Sequence, residues 1–219
     1  MKKIKIWFES FWESFDMNDN IFVRSLRKRV DVILDSQNPD YVFFTRFDSQ
    51  IYKYPNAIRI FYNAENFAPD FNLCDYAIGF DEIEFNDRYL RYPLYLIPDY
   101  TYYPNDNYAE DLRLALAKNE FTVDELSSKE GFCSIVVSRG GCREREEFFD
   151  ILSKYKQIAS GGRWRNNIGG PVDDKCEFVR KYKFTIAFEN SSTPGYTTEK
   201  LMQAFAAKTV PIYFGNPHI

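Results

Sequence analysis

The stretch at residues 184–215 reads FTIAFENSSTPGYTTEKLMQAFAAKTVPIYFG and decides the fold. An apolar run comes first, and a polar loop with Pro194 and Gly195 follows it. A segment with apolar residues at helical spacing and a second apolar run complete the stretch. This order predicts a strand, a loop, a helix and a further strand, which is the repeating unit of a parallel α/β layer. Thr197 or Thr198 is a good N-cap for the helix.

The start of this helix is a predicted anion site. Backbone N–H groups at a helix N-terminus carry a partial positive charge and bind anions. Lys200 falls in the first turn, where a cation opposes the helix dipole at a cost of about 0.3–1 kcal/mol. A nearby anion would explain this position. The alternative is a solvated lysine that happens to follow the favourable Glu199.

Short apolar runs bounded by polar or turn residues recur along the chain and predict the strands of a mainly parallel sheet. They occur at residues 3–8, 41–45, 57–62, 76–79, 132–138 and 157–159. Segments with apolar residues on one helical face lie between several of these runs. The predicted helices are at residues 20–35, 109–118, 144–152 and 177–183. The alternation predicts an α/β fold.

A polar segment that ends at Glu130 separates two groups of elements, and prolines and asparagines at residues 97–105 favour an irregular connection. A chain of 219 residues is long enough for two α/β units, since domains most often have about 100–150 residues. We predict domains at residues 1–125 and 126–219. No helix follows the last predicted strand to cover it, so we expect a C-terminally truncated piece.

Composition narrows the function classes. The chain has 45% hydrophobic and 27% charged residues, as a soluble globular protein does. A net charge of −4 argues against nucleic acid as a partner, because that binding depends on Lys and Arg neutralising phosphates. The sole histidine is His218, so histidine-dependent nucleophile systems and multi-histidine metal sites are disfavoured and carboxylates must carry acid–base chemistry. The 18% aromatic content fits both cores and sugar-binding surfaces.

Cysteine usage and the N-terminus predict a cytoplasmic location. The four cysteines form no C-x-x-C pair, which favours free thiols in a reducing compartment. Glu9 and Glu13 interrupt any apolar run of a secretory signal near the basic start. No stretch of the sequence is long and apolar enough to span a bilayer.

Two blocks of the sequence resemble the α-1,3/4-fucosyltransferases of glycosyltransferase family 10. FTIAFENS at residues 184–191, YTTEK at 196–200 and TVPIYFG at 209–215 are similar to the family's donor-binding signature. FYNAEN at residues 61–66, with the segments at 71–81 and 88–94 after it, resembles the acceptor domain of bacterial members. The blocks follow the family order, and the resemblance is weak only at residues 1–55 and 95–130.

The resemblance implies a GT-B architecture, with two Rossmann-like domains, a cleft between them and a C-terminal domain that is incomplete here. It implies inverting transfer of L-fucose from GDP-fucose to a hydroxyl of an N-acetyllactosamine-type glycan, in α-1,3 linkage. No cofactor and no metal are expected, and the chain has no D-x-D triplet. Bacterial members also suggest peripheral association with the inner face of a membrane.

The resemblance also assigns residues. Glu65 matches the family's general base, and Arg145 and Lys200 match the partners of the donor diphosphate. Glu199 would hold the ribose hydroxyls, while Asn190 and Tyr196 would line the donor pocket. Read locally, Glu65 is an ordinary surface residue after a strand and Arg145 belongs to an exposed charged helix face. A loop at residues 161–163 either borders the nucleotide or is a plain turn.

Two other functions stay open at this point. A carbohydrate- or nucleotide-binding module without turnover would fit an incomplete donor domain. A GT-B transferase that uses another nucleotide sugar would fit the same physical features of the helix start.

Overall fold

The computed structural model describes residues 1–13, 15–97 and 122–219. The chain divides into two compact units, Met1–Asp99 and Tyr100–Ile219. The irregular connection predicted beyond residue 97 and the helix predicted at 109–118 lie outside the described residues. The domain boundary predicted between residues 125 and 126 stays a prediction.

Unit 1 is built on a parallel sheet of six strands in the order β2-β1-β3-β4-β5-β6. The strands are β1 (Lys3–Glu9), β2 (Asp31–Leu34), β3 (Tyr41–Phe44), β4 (Ile58–Tyr62), β5 (Tyr76–Gly79) and β6 (Tyr89–Arg91). Alternate residues of β1, Ile4, Ile6 and Phe8, are buried against Val23 of helix α1 (Ile21–Arg27). Short 3-10 helices lie between β3 and β4 (Ser49–Lys53), between β5 and β6 (Asn86–Arg88) and after β6 (Leu94–Leu96).

The helix predicted at residues 20–35 is wrong in its second half. Asn20 caps α1 by accepting a hydrogen bond from Val23 N at 3.0 Å, and the helix ends at Arg27. Residues Asp31–Leu34 form β2 instead, in parallel register with residues 3–6 of β1. The β-branched side chains of Val32 and Ile33 favour a strand, and pairing with β1 satisfies the backbone hydrogen bonds.

Unit 2 repeats the same winding with a parallel sheet in the order β10-β9-β7-β8. Its elements are α2 (Val123–Ser127), β7 (Gly131–Ile135), α3 (Arg143–Tyr155), β8 (Ile158–Ser160), α4 (Lys175–Arg180), β9 (Tyr182–Phe188), α5 (Glu199–Ala206) and β10 (Val210–Phe214). The predicted strand, loop, helix and strand at residues 184–215 are confirmed. A core that includes Cys133, Ile135, Phe149 and Phe188 packs α3 against the sheet.

In each unit the strand order reverses next to the first strand of the sheet. Unit 1 reverses between β1 and β3, and unit 2 reverses between β7 and β9. Open parallel sheets bind ligands outside the carboxyl ends of their strands at such a reversal. We therefore expect the ligand site of unit 2 at the carboxyl edge between β7 and β9.

Two further findings concern the described residues. No helix among them is both long and apolar enough to cross a membrane. All four cysteines are free, and Cys74, Cys133 and Cys142 are buried.

Candidate functional site

The structure brings the predicted residues of unit 2 to the carboxyl edge between β7 and β9. Arg145 lies in the first turn of α3, and Asn190 is the second residue after β9. Tyr196 is in the loop before α5, and Glu199 and Lys200 open that helix. We call these five residues, together with Glu189, the β9 edge cluster.

Arg145 joins the two sides of this edge. Its side chain is buried, with 2% of the residue exposed. Nη1 donates to Phe188 O and to Asn190 Oδ1, each at 3.3 Å, and Nη2 donates to Arg139 O at 3.3 Å. The guanidinium thus connects the loop after β7 with the end of β9. The alternative of an exposed charged helix face is wrong for this residue, although it holds for Arg143, whose side chain is 84% exposed.

The charge of Arg145 has no counter-charge among the described residues. All of its acceptors are carbonyl or amide oxygens, and its buried Nε has no hydrogen-bond partner there. A guanidinium offers five donors, and a buried charge is costly unless it is paired. An anion that binds at this edge would supply the missing charge.

Glu189 belongs to the same edge, although it is not among the site residues predicted from the sequence. It is 0% exposed and follows the last residue of β9. Its Oε1 accepts from Thr198 N at 2.7 Å, and its Oε2 accepts from Thr198 Oγ1 at 2.6 Å and from Lys200 Nζ at 3.1 Å. The signal in the sequence was a carboxylate immediately after a buried parallel strand, at the edge where ligands bind.

This carboxylate changes the explanation for Lys200. The sequence predicts an anion near the cation in the first turn of α5, and Glu189 and Glu199 supply it, at 3.1 and 3.7 Å. Thr198 is the N-cap, as predicted, but its hydroxyl donates to Glu189 and makes no cap hydrogen bond. The helix start is therefore fixed to the end of β9 through one buried carboxylate.

Lys200 and Glu199, the first residues of α5, are both held in their charged forms. Burial lowers the pKa of Lys200, but Glu199 and Glu189 outweigh it and the pKa is raised. Burial likewise opposes ionisation of Glu199, but Lys200 and then Lys175 outweigh it and the pKa of Glu199 is lowered. Burial lowers the pKa of Lys175, while Glu199 opposes that shift. The edge thus carries fixed charges of both signs.

A pH titration of stability tests this arrangement. Because the pKa of Glu199 is lower in the folded chain than its ordinary value of 4.5, its contribution to stability is present above that pH. It is lost as the pH falls through the folded value. We expect the Glu199→Gln variant to lose less stability than the wild type between pH 6 and about pH 3 in urea unfolding. Glu177→Gln, on an exposed ion pair with Arg180, is the control. Parallel profiles for wild type and Glu199→Gln would contradict the assignment.

The loop between β9 and α5 is shaped by a turn that the sequence encodes. Pro194 and Gly195 are its central residues, Gly195 has a φ of 82°, and Tyr196 N donates to Thr193 O at 3.0 Å. A positive φ at the third turn position requires glycine and is typical of a type II turn. Tyr196, the last residue of the turn, is buried, with 2% of the residue exposed.

Residues after β10 hold this loop in place. Asn216 Oδ1 accepts from Gly195 N at 2.9 Å, and its Nδ2 donates to Thr197 Oγ1 at 3.2 Å. Ser192 Oγ donates to Gly215 O at 2.6 Å. A Cβ atom at Gly215 would lie 2.5 Å from Cγ of Glu189, so only glycine fits there. The β9 edge cluster therefore depends on the residues just beyond β10.

The glycine loop after β8 packs tightly against the end of β7. Gly161 N donates to Ile135 O at 2.9 Å, and Trp164 N donates to Val137 O at 3.1 Å. A Cβ atom at Gly162 would lie 1.9 Å from Val137 O. Close backbone approach explains the glycine at position 162 and is compatible with both interpretations of this loop.

In unit 1, Glu65 lies three residues beyond the end of β4 and is exposed. Its carboxylate has no hydrogen bond or ion pair with a described residue, whereas its backbone N–H and C=O are both bonded to Asn63. It sits at the carboxyl edge of the parallel sheet, after β4, which lies next to β3 on one side of the reversal between β1 and β3.

Family models match both units. The model of the "Alpha-(1,3)-fucosyltransferase FucT N-terminal domain" matches residues 6–98. The model of "Glycosyltransferase family 10 (fucosyltransferase) C-term" matches residues 126–218. Each unit therefore matches a different model, in the order that the sequence blocks predict.

Individual relatives agree with the family models. The α-(1,3)-fucosyltransferase FucT of Helicobacter pylori is 37% identical over 99% of this chain, which spans about half (51%) of that relative. A putative fucosyltransferase-like protein of Arabidopsis thaliana is 39% identical over 38% of the chain and 16% of its own length. The crystal structure of an α1,3-fucosyltransferase with GDP-fucose is 33% identical, has a TM-score of 0.77, and is matched over 100% of this chain and 70% of its own. A second α1,3-fucosyltransferase crystal structure is 34% identical, has a TM-score of 0.81, and is matched over 99% of this chain and 70% of its own.

The fold of two parallel α/β units, with a charged carboxyl edge in the second, is that of a GT-B type protein, as predicted. Within that class, the chain belongs to glycosyltransferase family 10, the α-1,3-fucosyltransferases.

Proposed function

We propose that the chain transfers L-fucose from GDP-fucose, with inversion, to a hydroxyl of an N-acetylglucosamine-containing glycan, in α-1,3 linkage. The observation that carries the proposal is the buried guanidinium of Arg145, which lies at the carboxyl edge of unit 2 without a counter-charge among the described residues. A GDP-fucose complex of a solved relative that is 33% identical supports the choice of donor.

In this proposal the β9 edge cluster binds the donor. Departure of GDP develops negative charge on the diphosphate, which fixed positive groups stabilise. Arg145, Lys200 and the N–H groups at the start of α5 are the groups assigned to it. Glu199 is assigned to the ribose hydroxyls, and Asn190 and Tyr196 to the wall of the donor pocket. No step is assigned to a metal or a cofactor.

Glu65 is the proposed general base. Its carboxylate takes the proton of the acceptor hydroxyl while the hydroxyl oxygen forms a bond to the anomeric carbon of fucose. The bond from that carbon to GDP breaks, and its electron pair leaves with the diphosphate. A single displacement inverts the anomeric centre. The exposed carboxylate after β4, without a partner among the described residues, supports this role.

A transfer assay tests the proposal as a whole. The chain is incubated with GDP-fucose and N-acetyllactosamine, and mass spectrometry is used to look for the glycan with one added fucose. Thermal shifts with GDP, UDP and CMP sugars are measured on the same preparation. Stabilisation by GDP without product would favour a binding module. Stabilisation by UDP or CMP sugars alone would favour a transferase with another donor.

Replacing Arg145 tests the donor site separately. Arg145→Lys keeps the charge but loses the planar fork that reaches both loops. We expect GDP affinity to fall about 10- to 100-fold, since hydrogen bonds to charged groups contribute about 1.5–3 kcal/mol each. Isothermal titration with GDP is the measurement. Arg143→Lys, on the exposed face of the same helix, should bind as the wild type does. Equal affinity of wild type and Arg145→Lys would remove Arg145 from the donor site.

Location and membrane association are further proposals. Free cysteines fit a reducing compartment, and we place the chain in the cytoplasm. Peripheral association with the inner face of the membrane rests on the resemblance to bacterial members. Fractionation of expressing cells, with and without high salt, tests both.

A further inference from the structure

A single buried amide holds the backbone of Glu65 on both sides of its Cα atom. Asn63 lies directly after β4 and is 7% exposed. Its Oδ1 accepts from Glu65 N at 2.8 Å. Its Nδ2 donates to Glu65 O at 2.6 Å and to Phe67 O at 2.7 Å. Three of the bonds that an asparagine side chain can make are thus directed at one short segment.

Asn63 is itself fixed to the sheet. Its backbone N donates to Ile78 O of β5 at 3.2 Å, and Phe67 N closes the segment by donating to Glu65 O at 2.9 Å. The chain from residue 63 to residue 67 is therefore tied to the carboxyl ends of two neighbouring strands. Little freedom of the Glu65 backbone remains.

The side chain of Glu65, unlike its backbone, is not held by hydrogen bonds to described residues. The residue is exposed, and its carboxylate has no hydrogen bond or ion pair with a described residue. A carboxylate that has no partner among the described residues, on a backbone that is held in place, is the arrangement expected for a side chain that contacts a bound substrate. Supporting residues of this kind hold reactive groups within fractions of an ångström of the productive geometry.

We infer that Asn63 is a positioning residue for Glu65 and sets the direction in which its carboxylate meets the acceptor hydroxyl. The inference rests on the proposed role of Glu65 as general base. Asn63 does not touch the substrate in this role, and it acts only through the two peptide groups of Glu65.

The first experiment measures kcat and KM for the Asn63→Ala variant with GDP-fucose and N-acetyllactosamine. We expect kcat to fall about 10- to 100-fold, because a displacement of about 1 Å can cost that much in rate. The KM for GDP-fucose and the affinity for GDP should not change. Asn72→Ala is the matched control, since Asn72 lies in the same connection and bonds only to Asp70 among the described residues. A rise in the KM for GDP-fucose with unchanged kcat would overturn the inference.

A double-variant cycle separates positioning from general loosening of unit 1. If Asn63 acts through Glu65, adding Asn63→Ala to Glu65→Gln should leave the residual rate unchanged. Equal losses in the presence and absence of Glu65 would overturn the inference while leaving the base role intact. Full turnover by Glu65→Gln alone would remove the base role, and the inference with it.

Hydrogen exchange gives a readout that does not depend on activity. Peptides that cover residues 62–70 should exchange faster in Asn63→Ala, while the melting temperature and the exchange of β1 stay close to those of the wild type. Unchanged protection of this segment would overturn the inference. If Asn63→Ala does not fold, Asn63→Asp takes its place in every experiment, because it keeps the acceptor for Glu65 N and loses both donors.

Discussion

The Glu65→Gln variant is expected to lose turnover by about 10²- to 10⁴-fold, the usual contribution of a general base. Glutamine has nearly the same shape as glutamate but cannot take up the proton of the acceptor hydroxyl. Because Glu65 belongs to unit 1 and the proposed donor residues belong to unit 2, GDP affinity should not change. The measurement is the initial rate of fucosyl transfer, together with titration of GDP.

Glu84→Gln is the control for this variant. Glu84 is an exposed carboxylate of unit 1 with no hydrogen bond or ion pair to another described residue, and its loss should leave the rate unchanged. A wild-type rate for Glu65→Gln would show that another group accepts the proton. A loss of both rate and GDP affinity would instead indicate a change in the fold.

The Lys200→Met variant is expected to lose much of its stability against unfolding. Methionine matches the length of lysine but leaves the carboxylate of Glu189 buried without its cation. Breaking a buried ion pair in this way lowers the free energy of unfolding by about 3–5 kcal/mol. Glu189 is fully buried and the side chain of Lys200 is 17% exposed. Urea unfolding at pH 7, without nucleotide, is the measurement.

Lys208→Met is the matched control for Lys200→Met. Lys208 pairs with Glu125 at 2.8 Å, a shorter distance than that of the Lys200–Glu189 pair, but both side chains are about 40% exposed, at 44% and 38%. Exposed pairs contribute about 0–1 kcal/mol, so this variant should unfold almost as the wild type does. The double variant Lys200→Met/Glu189→Gln should recover most of the loss, because the unpaired charge is removed. Equal stability of the two lysine variants would contradict the prediction.

The sequence predicts those features that depend on neighbours along the chain. The strand, turn, helix and strand at residues 184–215 follow from apolar spacing and from Pro194 and Gly195. The resemblance to family 10 placed Arg145, Asn190, Glu199 and Lys200 in one site, and they meet at one edge of unit 2. Their roles in binding stay predictions.

Other features depend on partners that are distant in sequence, and local patterns do not reveal them. Residues Asp31–Leu34 look like a continued helix until their pairing with β1 is known. Glu189 looks like a polar residue at the end of a strand, yet its hydrogen bonds reach Thr198 and Lys200. Arg145 belongs to an alternating run of charges that predicts exposure, but the carbonyl groups that enclose it come from residues 139 and 188.

The unpaired guanidinium of Arg145 has a consequence for the evolution of this fold. An apolar side chain of similar size would remove a buried charge that has no counter-charge among the described residues, and burying such a charge is costly. Selection for thermal stability alone would therefore favour the loss of Arg145 wherever other donors satisfy the three oxygens that accept from it. Natural proteins retain destabilising residues of this kind where activity requires them. A consensus or directed-evolution programme on this chain should hold position 145 fixed, because heat resistance and donor recognition make opposite demands on it.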